Sequence, residues 1–289
     1  MSLWEKRQEI VHLIRFDRPY GTLLLLLPTL WSLFLASLGD PSLKHLVVFI
    51  LGSFFMRSAG CVMNDMADYK FDAKVTRTQN RPIARGSLTH KEGSIVLFSL
   101  LTVSFLLVLT LNRLTITLSF VALFFAALYP FTKRFTHFAQ GFLGIAFSFG
   151  ILMAWTATRG DISTTPFLIL LANLFWASGY DTIYAIMDKE DDMKIGVKSM
   201  AILIGPKPWR AIGFFFLMVI FFLLLVGHQT QMGIIYYLSL ILAGSVFLYQ
   251  VVALRKNLVR ERLFSLFKAH VYIGGIILAG IVLHFYLAA

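Results

Sequence analysis

Nine long runs of apolar residues occupy most of this chain and limit the folds it can adopt. Of its 289 residues, 58% are hydrophobic and only 14% are charged, whereas a soluble domain carries about 25% charged residues. Because backbone groups in lipid must bond within their own segment, such runs predict membrane-spanning helices. The predicted spans are residues 20–38, 43–63, 91–111, 114–131, 138–157, 165–187, 209–227, 232–253 and 268–287. No linker separates them, so residues 1–289 are expected to form one all-α integral membrane domain.

The basic residues predict how these helices are oriented. Of the 26 Lys and Arg, 22 fall in the N-terminal segment or near the loops after the second, fourth, sixth and eighth spans. Only Lys44, Arg113 and Arg159 fall on the other side, and Arg57 lies within the second span. The positive-inside rule then predicts a cytoplasmic N-terminus and an external C-terminus. The same bias explains the net charge of +11 without a nucleic-acid partner.

Two acidic clusters at the cytoplasmic border are the strongest functional signal. The stretches 64–72 and 181–192 hold eight of the 15 Asp and Glu in the chain. Helical spacing places Asn64, Asp68 and Asp72 in one row and Asp188 and Asp192 in another. Carboxylates at a membrane border are costly and usually functional. Two facing rows predict a Mg²⁺ site, with the metal ligands Asp68, Asp72, Asp188 and Asp192 holding a diphosphate through the ion.

Other acidic residues fall outside these two rows. Asp65 and Asp191 lie off the inward faces and are expected to be solvated. Asp181 lies deeper in its span, with Tyr184 about one turn further on. Arg57 is similarly deep, and two roles are open for it. It either neutralises a buried acid such as Asp181 or binds an anionic group of a substrate.

Basic segments beside the clusters predict contacts with phosphate. Residues 77–86 carry three arginines and are bent by a proline and a glycine. Guanidinium groups bind phosphate oxygens through paired hydrogen bonds, although positive-inside bias alone also explains such a loop. The predicted diphosphate donors are Arg81, Lys133, Arg134 and Lys189. The single cysteine, Cys61, and the scattered histidines provide no alternative metal site.

These motifs resemble those of the UbiA family of intramembrane aromatic prenyltransferases, and within it the branch that acts on 4-hydroxybenzoate. The first cluster fits an NDxxDxxxD motif at Asn64, Asp65, Asp68 and Asp72, and the second fits DxxxD at Asp188 and Asp192. Further similar segments are 15–22, 28–31, 56–61, 80–82, 180–182 and 196–199. Lys189 stands where the family often has arginine.

The resemblance implies a fold, a reaction and a location. The fold is nine helices around a central cavity with a cytoplasmic cap and a lateral opening to lipid. The reaction is Mg²⁺-dependent transfer of a polyprenyl group from its diphosphate to the carbon ortho to the hydroxyl of 4-hydroxybenzoate, for ubiquinone synthesis. Mn²⁺ is a possible substitute, and the location is the bacterial inner membrane. Catalysis is then expected at the two acidic rows and at Asp181, the candidate acceptor of the phenol proton.

The cation that meets the acceptor carboxylate is expected to be Arg57 or Arg18, with Tyr184 also in the substrate site. Two alternatives remain open at this point. One is a family member that acts on another aromatic acceptor, such as dihydroxynaphthoate. The other is a secondary transporter, because apolar helices and polar residues near the midplane also describe carriers. Against transport, the acids cluster at one border of the membrane.

Overall fold

The computed structural model describes residues 4–75, 77–132, 134–196 and 198–288, and within these ranges the chain is helical without a strand. The helices vary from short interfacial turns to lengths that exceed a bilayer core. In chain order they are α1 (Arg7–Leu13), α2 (Tyr20–Ala36), α3 (Leu43–Asp72), α4 (His90–Val108), α5 (Arg113–Thr132), α6 (Ala139–Arg159), α7 (Thr164–Ile195), α8 (Met200–Ile204), α9 (Pro208–Gln229), α10 (Ile234–Ala253) and α11 (Arg260–Ala288).

The predicted all-α membrane architecture is confirmed, but the count of nine spans is confirmed only in part. Each predicted span falls on one of the helices α2–α7 and α9–α11. Among the described residues, seven helices are long and apolar enough to cross a membrane, namely α3–α6 and α9–α11. The helix α2 has only 17 residues. The helix α7 is not among the seven, and it ends in the second acidic cluster.

Helices α3 and α7 are longer than the predicted spans, and their additional turns contain most of the acidic residues. Their 30 and 32 residues correspond to about 45 and 48 Å of helix, against about 30 Å of hydrocarbon. Helix α3 begins at the cap residue Ser42, whose side chain accepts a hydrogen bond from the backbone N–H of His45. Helix α7 ends at Gly196, whose φ of 72° allows the left-handed turn. The acidic residues are therefore helical rather than in loops.

Polar contacts join the predicted cytoplasmic segments to one another at one end of the bundle. Glu9 pairs with Arg85, which joins the N-terminal segment to the segment between α3 and α4. Arg134 after α5 donates to the carbonyl of Ala67 on α3. Lys198 after α7 donates to the carbonyl of Phe135. The segments that follow alternate spans therefore share one face, as the charge pattern predicts.

A buried aromatic core holds α2, α7 and α11 together beside the functional cavity. The rings of Trp31 and Trp176 stack with centroids 5.1 Å apart, and Trp31 Nε1 donates to the carbonyl of Gly274 at 3.0 Å. A Cβ at position 274 would lie 2.7 Å from Trp176, so the helices approach this closely only with glycine there. Trp176 Nε1 also donates to Nδ1 of His270 at 2.8 Å, which makes this histidine part of the core.

Candidate active site

A cavity of about 1050 Å³ lies inside the bundle and opens toward the end that carries the basic segments. Its walls come from α1–α7 and α11 and from the segment between α3 and α4, residues 73–89, here called the cap loop. Polar and charged side chains line the end near the cap loop. Apolar side chains of α4, α5 and α6 line a second region, which includes Phe98, Phe105, Phe120, Leu123 and Phe147. The cavity is therefore amphipathic.

The first acidic row runs along α3 beside this cavity. Asn64 and Asp72 line the cavity directly. Arg81 of the cap loop donates to Asp72 Oδ2 at 2.7 Å. Asp68 is fully buried one turn before Asp72, and the Nη2 of Arg134 lies 3.8 Å from its Oδ1. Asn64 and Asp72 of the predicted row thus line the cavity, whereas Asp68 is buried behind them. An arginine lies beside each of the two carboxylates.

The second acidic row lies on α7 and faces the same cavity. Both Asp188 and Asp192 line it. Asp188 is mostly buried and accepts hydrogen bonds from two arginines. Arg77 donates from Nε at 2.9 and 3.0 Å and from Nη2 at 2.6 Å, and Arg260 donates from Nη2 at 2.8 Å. The cavity thus brings the two predicted rows together.

The expectation that Asp65 is solvated is wrong. Only 1% of Asp65 is exposed, and it accepts hydrogen bonds from Arg15 Nη2 at 2.7 and 2.9 Å. Arg81 Nη1 lies 3.0 Å from the same carboxylate. The N-terminal segment covers this side of α3 and supplies the cation, which helical spacing within α3 alone does not reveal. Asp191, in contrast, stays partly exposed near Lys194.

Three arginines at intervals of four residues attach the cap loop to three different helices. Arg77 reaches Asp188 on α7, Arg81 reaches Asp65 and Asp72 on α3, and Arg85 pairs with Glu9 on α1. Burial alone would lower the pKa of Arg77 and of Arg81, but the neighbouring carboxylates, and for Arg77 also the Tyr184 hydroxyl, raise both pKa values above the ordinary value. Both guanidinium groups are therefore charged, and the cap loop brings fixed positive charge to the cavity.

The outer attachment of the cap loop is also ionic. Burial would raise the pKa of Glu9, but hydrogen bonds from Ser87 and Arg85, together with the charge of Arg85, outweigh it and lower the pKa below its usual value. Lys6 pairs with Glu92 at 2.9 Å at the start of α4. The N-terminal segment is therefore bound to the cap loop and to α4 at neutral pH.

The deep part of the cavity contains a second polar group around Arg57. Its guanidinium lies in electrostatic reach of Tyr129, Tyr180 and Asp181, and all four side chains line the cavity. Arg57 Nη1 lies 2.7 Å from the sulfur of Cys61. Arg57 Nε and the Tyr180 hydroxyl are buried without a hydrogen-bond partner among the described residues. Because buried polar atoms are normally paired, these two atoms indicate a place for a polar ligand.

The contacts of Arg57 distinguish between the two roles predicted for it. No Arg57–Asp181 ion pair within 4.0 Å occurs in the described part of the chain, where Arg57 instead approaches Cys61 and the Phe147 ring. A cation that only neutralised Asp181 would be expected to contact it. The contacts of Arg57 therefore favour binding of an anionic ligand.

The remaining predicted binding residues fall into different surroundings. Tyr184 lines the cavity, and its hydroxyl accepts a hydrogen bond from Arg77 Nη1 at 2.7 Å. Arg18 lines the mouth and is 72% exposed in its side chain. Lys189 is not brought to the cavity, because its Nζ donates to the carbonyl of Gly205 at 3.1 Å. Lys133 lies outside the described residues.

The acidic rows have the donor chemistry of a magnesium site that needs a ligand to complete it. No three His, Cys, Asp or Glu side chains of the described residues are close enough to hold a metal by themselves. Mg²⁺ is commonly bound by one or two carboxylates together with substrate phosphates and water, rather than by a cage of protein ligands. Carboxylates on two sides of one cavity fit that arrangement.

Sequence reasoning missed two residues that contact the acids. Arg15 has a φ of 58°, and this left-handed turn after α1 carries its side chain to Asp65. Arg260 is the first residue of α11 and lies 72 positions from its partner Asp188. The spacing of Arg77, Arg81 and Arg85 could have indicated a shared role for the cap loop, but no local pattern marks Arg15 or Arg260.

Known proteins resemble this chain in sequence over nearly its whole length. The profile of the UbiA prenyltransferase family matches residues 25–272. A 4-hydroxybenzoate octaprenyltransferase of Vibrio campbellii is 46% identical over 283 residues, which cover 98% of this chain and 99% of that protein. A protein of the same name from Vibrio cholerae is 48% identical over 274 residues, covering 94% and 95% of the two chains.

Solved structures show the same fold. The apo structure of a UbiA homolog from Aeropyrum pernix matches with a TM-score of 0.79 at 24% identity, covering 90% of this chain and 97% of that one. A UbiA homolog from Archaeoglobus fulgidus, solved with GPP and Mg²⁺, matches with a TM-score of 0.71 at 16% identity, covering 96% and 98%. The family profile, the full-length relatives and the shared fold agree, and the chain belongs to the UbiA prenyltransferase family.

Proposed function

We propose that this protein transfers a polyprenyl group from polyprenyl diphosphate to the ring carbon ortho to the hydroxyl of 4-hydroxybenzoate. The observation that carries the proposal is one cavity with three chemically distinct regions. Two carboxylate rows with arginines lie at its mouth, a guanidinium whose Nε has no hydrogen-bond partner among the described residues lies at depth, and an apolar wall joins them. The names of the full-length relatives support the same substrates.

The mouth of the cavity is the proposed diphosphate site. Asp72 and Asp188 face the cavity from opposite helices, with Asp68 and Asp192 one turn from them. Mg²⁺ bound there would neutralise the charge that develops on the departing diphosphate. Arg77 and Arg81 provide further positive charge from the cap loop, and Arg134 stands beside Asp68. These side chains orient the diphosphate and stabilise it as it leaves.

The deep polar group is the proposed site of the aromatic acceptor. Arg57 lies 11 residues before Asp68 on α3, or about 16 Å along the helix axis. At that separation a diphosphate at the mouth does not reach Arg57. The buried Nε of Arg57 and the Tyr180 hydroxyl suit a carboxylate, which accepts hydrogen bonds at both oxygens. Asp181 lines the same part of the cavity and is the proposed acceptor of the phenol proton.

The apolar region is the proposed place of the prenyl chain. Phe98 and Phe105 on α4 and Phe120 and Leu123 on α5 line it, and these side chains are also exposed on the outside of the bundle. The region therefore connects the cavity with the lipid in which a polyprenyl substrate lives. Aromatic faces can stabilise the allylic cation, and exclusion of water protects it from hydrolysis.

The location follows from the charge pattern and the fold. We infer that the five basic segments, the acid rows and the N-terminus face the cytoplasm across the bacterial inner membrane, with the C-terminus outside. The contacts that collect these segments at one end support a common side. Helices α1–α7 and α11 contribute to one cavity, which supports a single domain over residues 1–289.

Prenyl transfer by the purified protein tests this proposal. Detergent-solubilised protein is incubated with Mg²⁺, geranyl diphosphate and 4-hydroxybenzoate, and the product is identified by mass spectrometry. A parallel reaction contains dihydroxynaphthoate instead. Geranyl-4-hydroxybenzoate is expected in the first reaction and little product in the second. Product with dihydroxynaphthoate alone would assign the other acceptor, and no transfer to either acceptor would contradict the proposal.

A further inference from the structure

We propose that Arg260 and Arg77 form a diphosphate-binding pair that Asp188 holds in position until the substrate arrives, and that both then transfer from this carboxylate to the diphosphate. The inference rests on the proposed function and adds Arg260, the first residue of α11, to the substrate site. Nothing in its own part of the sequence marks Arg260 as different from the other basic residues near the membrane border.

The contacts at Asp188 carry the proposal. The two arginines donate four hydrogen bonds of 2.6–3.0 Å to this one carboxylate. They come from separate parts of the chain, because Arg77 belongs to the cap loop and Arg260 to α11. Phe264, one turn after Arg260, lines the cavity, so Arg260 lies on the cavity-facing side of its helix. Asp188 on α7 therefore binds both α11 and the cap loop.

The shape of the two guanidinium groups favours a phosphate as their second partner. Both bind the single carboxylate of Asp188, and Asp188 lines the cavity. Guanidinium groups match the paired oxygens of a phosphate. A diphosphate in the cavity beside Asp188 would therefore lie next to both arginines.

Asp188 is also a proposed magnesium ligand, and this gives the exchange its physical reason. A carboxylate that binds a metal presents fewer lone pairs to arginine, and the cation repels both guanidinium groups. The diphosphate that accompanies the metal offers them new acceptors. Arg77 and Arg260 therefore change partners without entering bulk water, and the site is preorganised for the substrate before it binds.

Equilibrium binding of inorganic pyrophosphate, without Mg²⁺, tests the pair separately from catalysis. The full-length protein is placed in phosphatidylcholine nanodiscs, and Arg260→Gln is compared with Arg262→Gln. Arg262 is a matched control because it lies two residues away on α11 and contacts the Tyr249 hydroxyl instead. Arg260→Gln should raise the Kd about tenfold, the effect of losing one charge-assisted hydrogen-bond donor. Arg262→Gln should leave the Kd unchanged.

Asp188→Asn provides the opposite perturbation. If this carboxylate competes with the diphosphate for the arginines, Asp188→Asn should strengthen metal-free pyrophosphate binding severalfold, and Arg260→Gln in the same chain should remove that gain. Weaker metal-free binding by Asp188→Asn would overturn the exchange. Unchanged binding by Arg260→Gln would remove Arg260 from the site. An effect of Arg260→Gln seen only in phosphatidylglycerol nanodiscs would assign Arg260 to lipid headgroups and also overturn the proposal.

Steady-state kinetics separate this role from a structural one. Arg260→Gln should raise the KM for geranyl diphosphate and leave the KM for 4-hydroxybenzoate unchanged, and Arg260→Lys should recover part of the loss. A lowered Tm with both KM values raised equally would show that Arg260 only packs α11 on α7. If the wild-type protein binds pyrophosphate but transfers no prenyl group, the proposed function fails. The binding assay then still decides whether Arg260 belongs to the pyrophosphate site.

Discussion

Gly21→Ala should disable the acceptor site by displacing the guanidinium group of Arg57. Gly21 lies in the first turn of α2, and a Cβ built there would lie 2.5 Å from Arg57 Nε and 2.6 Å from its Nη2. Ordinary contacts of a Cβ begin near 3.4 Å, so the guanidinium must move by about 1 Å in a packed interior. The end of the arginine side chain can make that movement, so the protein should still fold.

The expected cost follows from the precision that catalysis requires. Misplacement of a binding group by about 1 Å can reduce the rate about a hundredfold. Gly21→Ala should therefore lower kcat/KM for 4-hydroxybenzoate by up to about a hundredfold, while the KM for geranyl diphosphate stays near that of the wild type. Both values are obtained from initial rates of product formation measured by liquid chromatography.

Gly275→Ala on α11 is the matched control, because a Cβ at that position meets nothing within 4 Å. It should keep both KM values and slightly raise Tm, since alanine favours a helix interior over glycine. An unchanged kcat/KM for 4-hydroxybenzoate in Gly21→Ala would refute the acceptor role of Arg57. An equal rise in both KM values would show a general distortion of the cavity instead.

Three further predictions concern the acid rows, the metal and the orientation. Asp68→Ala or Asp192→Ala should lower turnover on the order of a thousandfold with the fold retained, and near wild-type rates at low Mg²⁺ would contradict the assignment. Activity should be lost with EDTA and return with Mg²⁺ or Mn²⁺, whereas full turnover after thorough chelation would exclude the metal. In a Cys61→Ala background, Lys74→Cys should react with a membrane-impermeant thiol reagent only from the cytoplasm and Asp161→Cys only from outside, and the reverse pattern would invert the topology.

The sequence predicts those features of the fold and the site that depend on local periodicity. The apolar runs predict helices because each spanning segment must satisfy its own backbone. The rows that contain Asp72 and Asp188 follow from spacing on one helix face. Both patterns depend only on residues that are close in sequence, so they can be recognised without knowledge of tertiary contacts.

The parts that the sequence does not predict depend on contacts between distant segments. Asp65 lies off the predicted row of α3, yet it lines the cavity, and Arg15 and Arg81 contact its carboxylate. Lys189 has the charge expected of a phosphate ligand, but its position on α7 turns it toward the carbonyl of Gly205. Arg260 contacts the acid row through the packing of α11. Charge and spacing identify candidates, and the packing of helices selects among them.

A crystal structure with both substrates bound would show whether the diphosphate and the aromatic acceptor occupy separate ends of the cavity. The protein is crystallised with Mn²⁺, 4-hydroxybenzoate and geranyl thiodiphosphate, an analogue whose ionisation is slow. We expect anomalous density for Mn²⁺ between the α3 row and the α7 row, with the diphosphate beside the cap loop and the carboxylate of 4-hydroxybenzoate at Arg57. Mn²⁺ away from Asp72 and Asp188, or a diphosphate bound at Arg57, would contradict this arrangement.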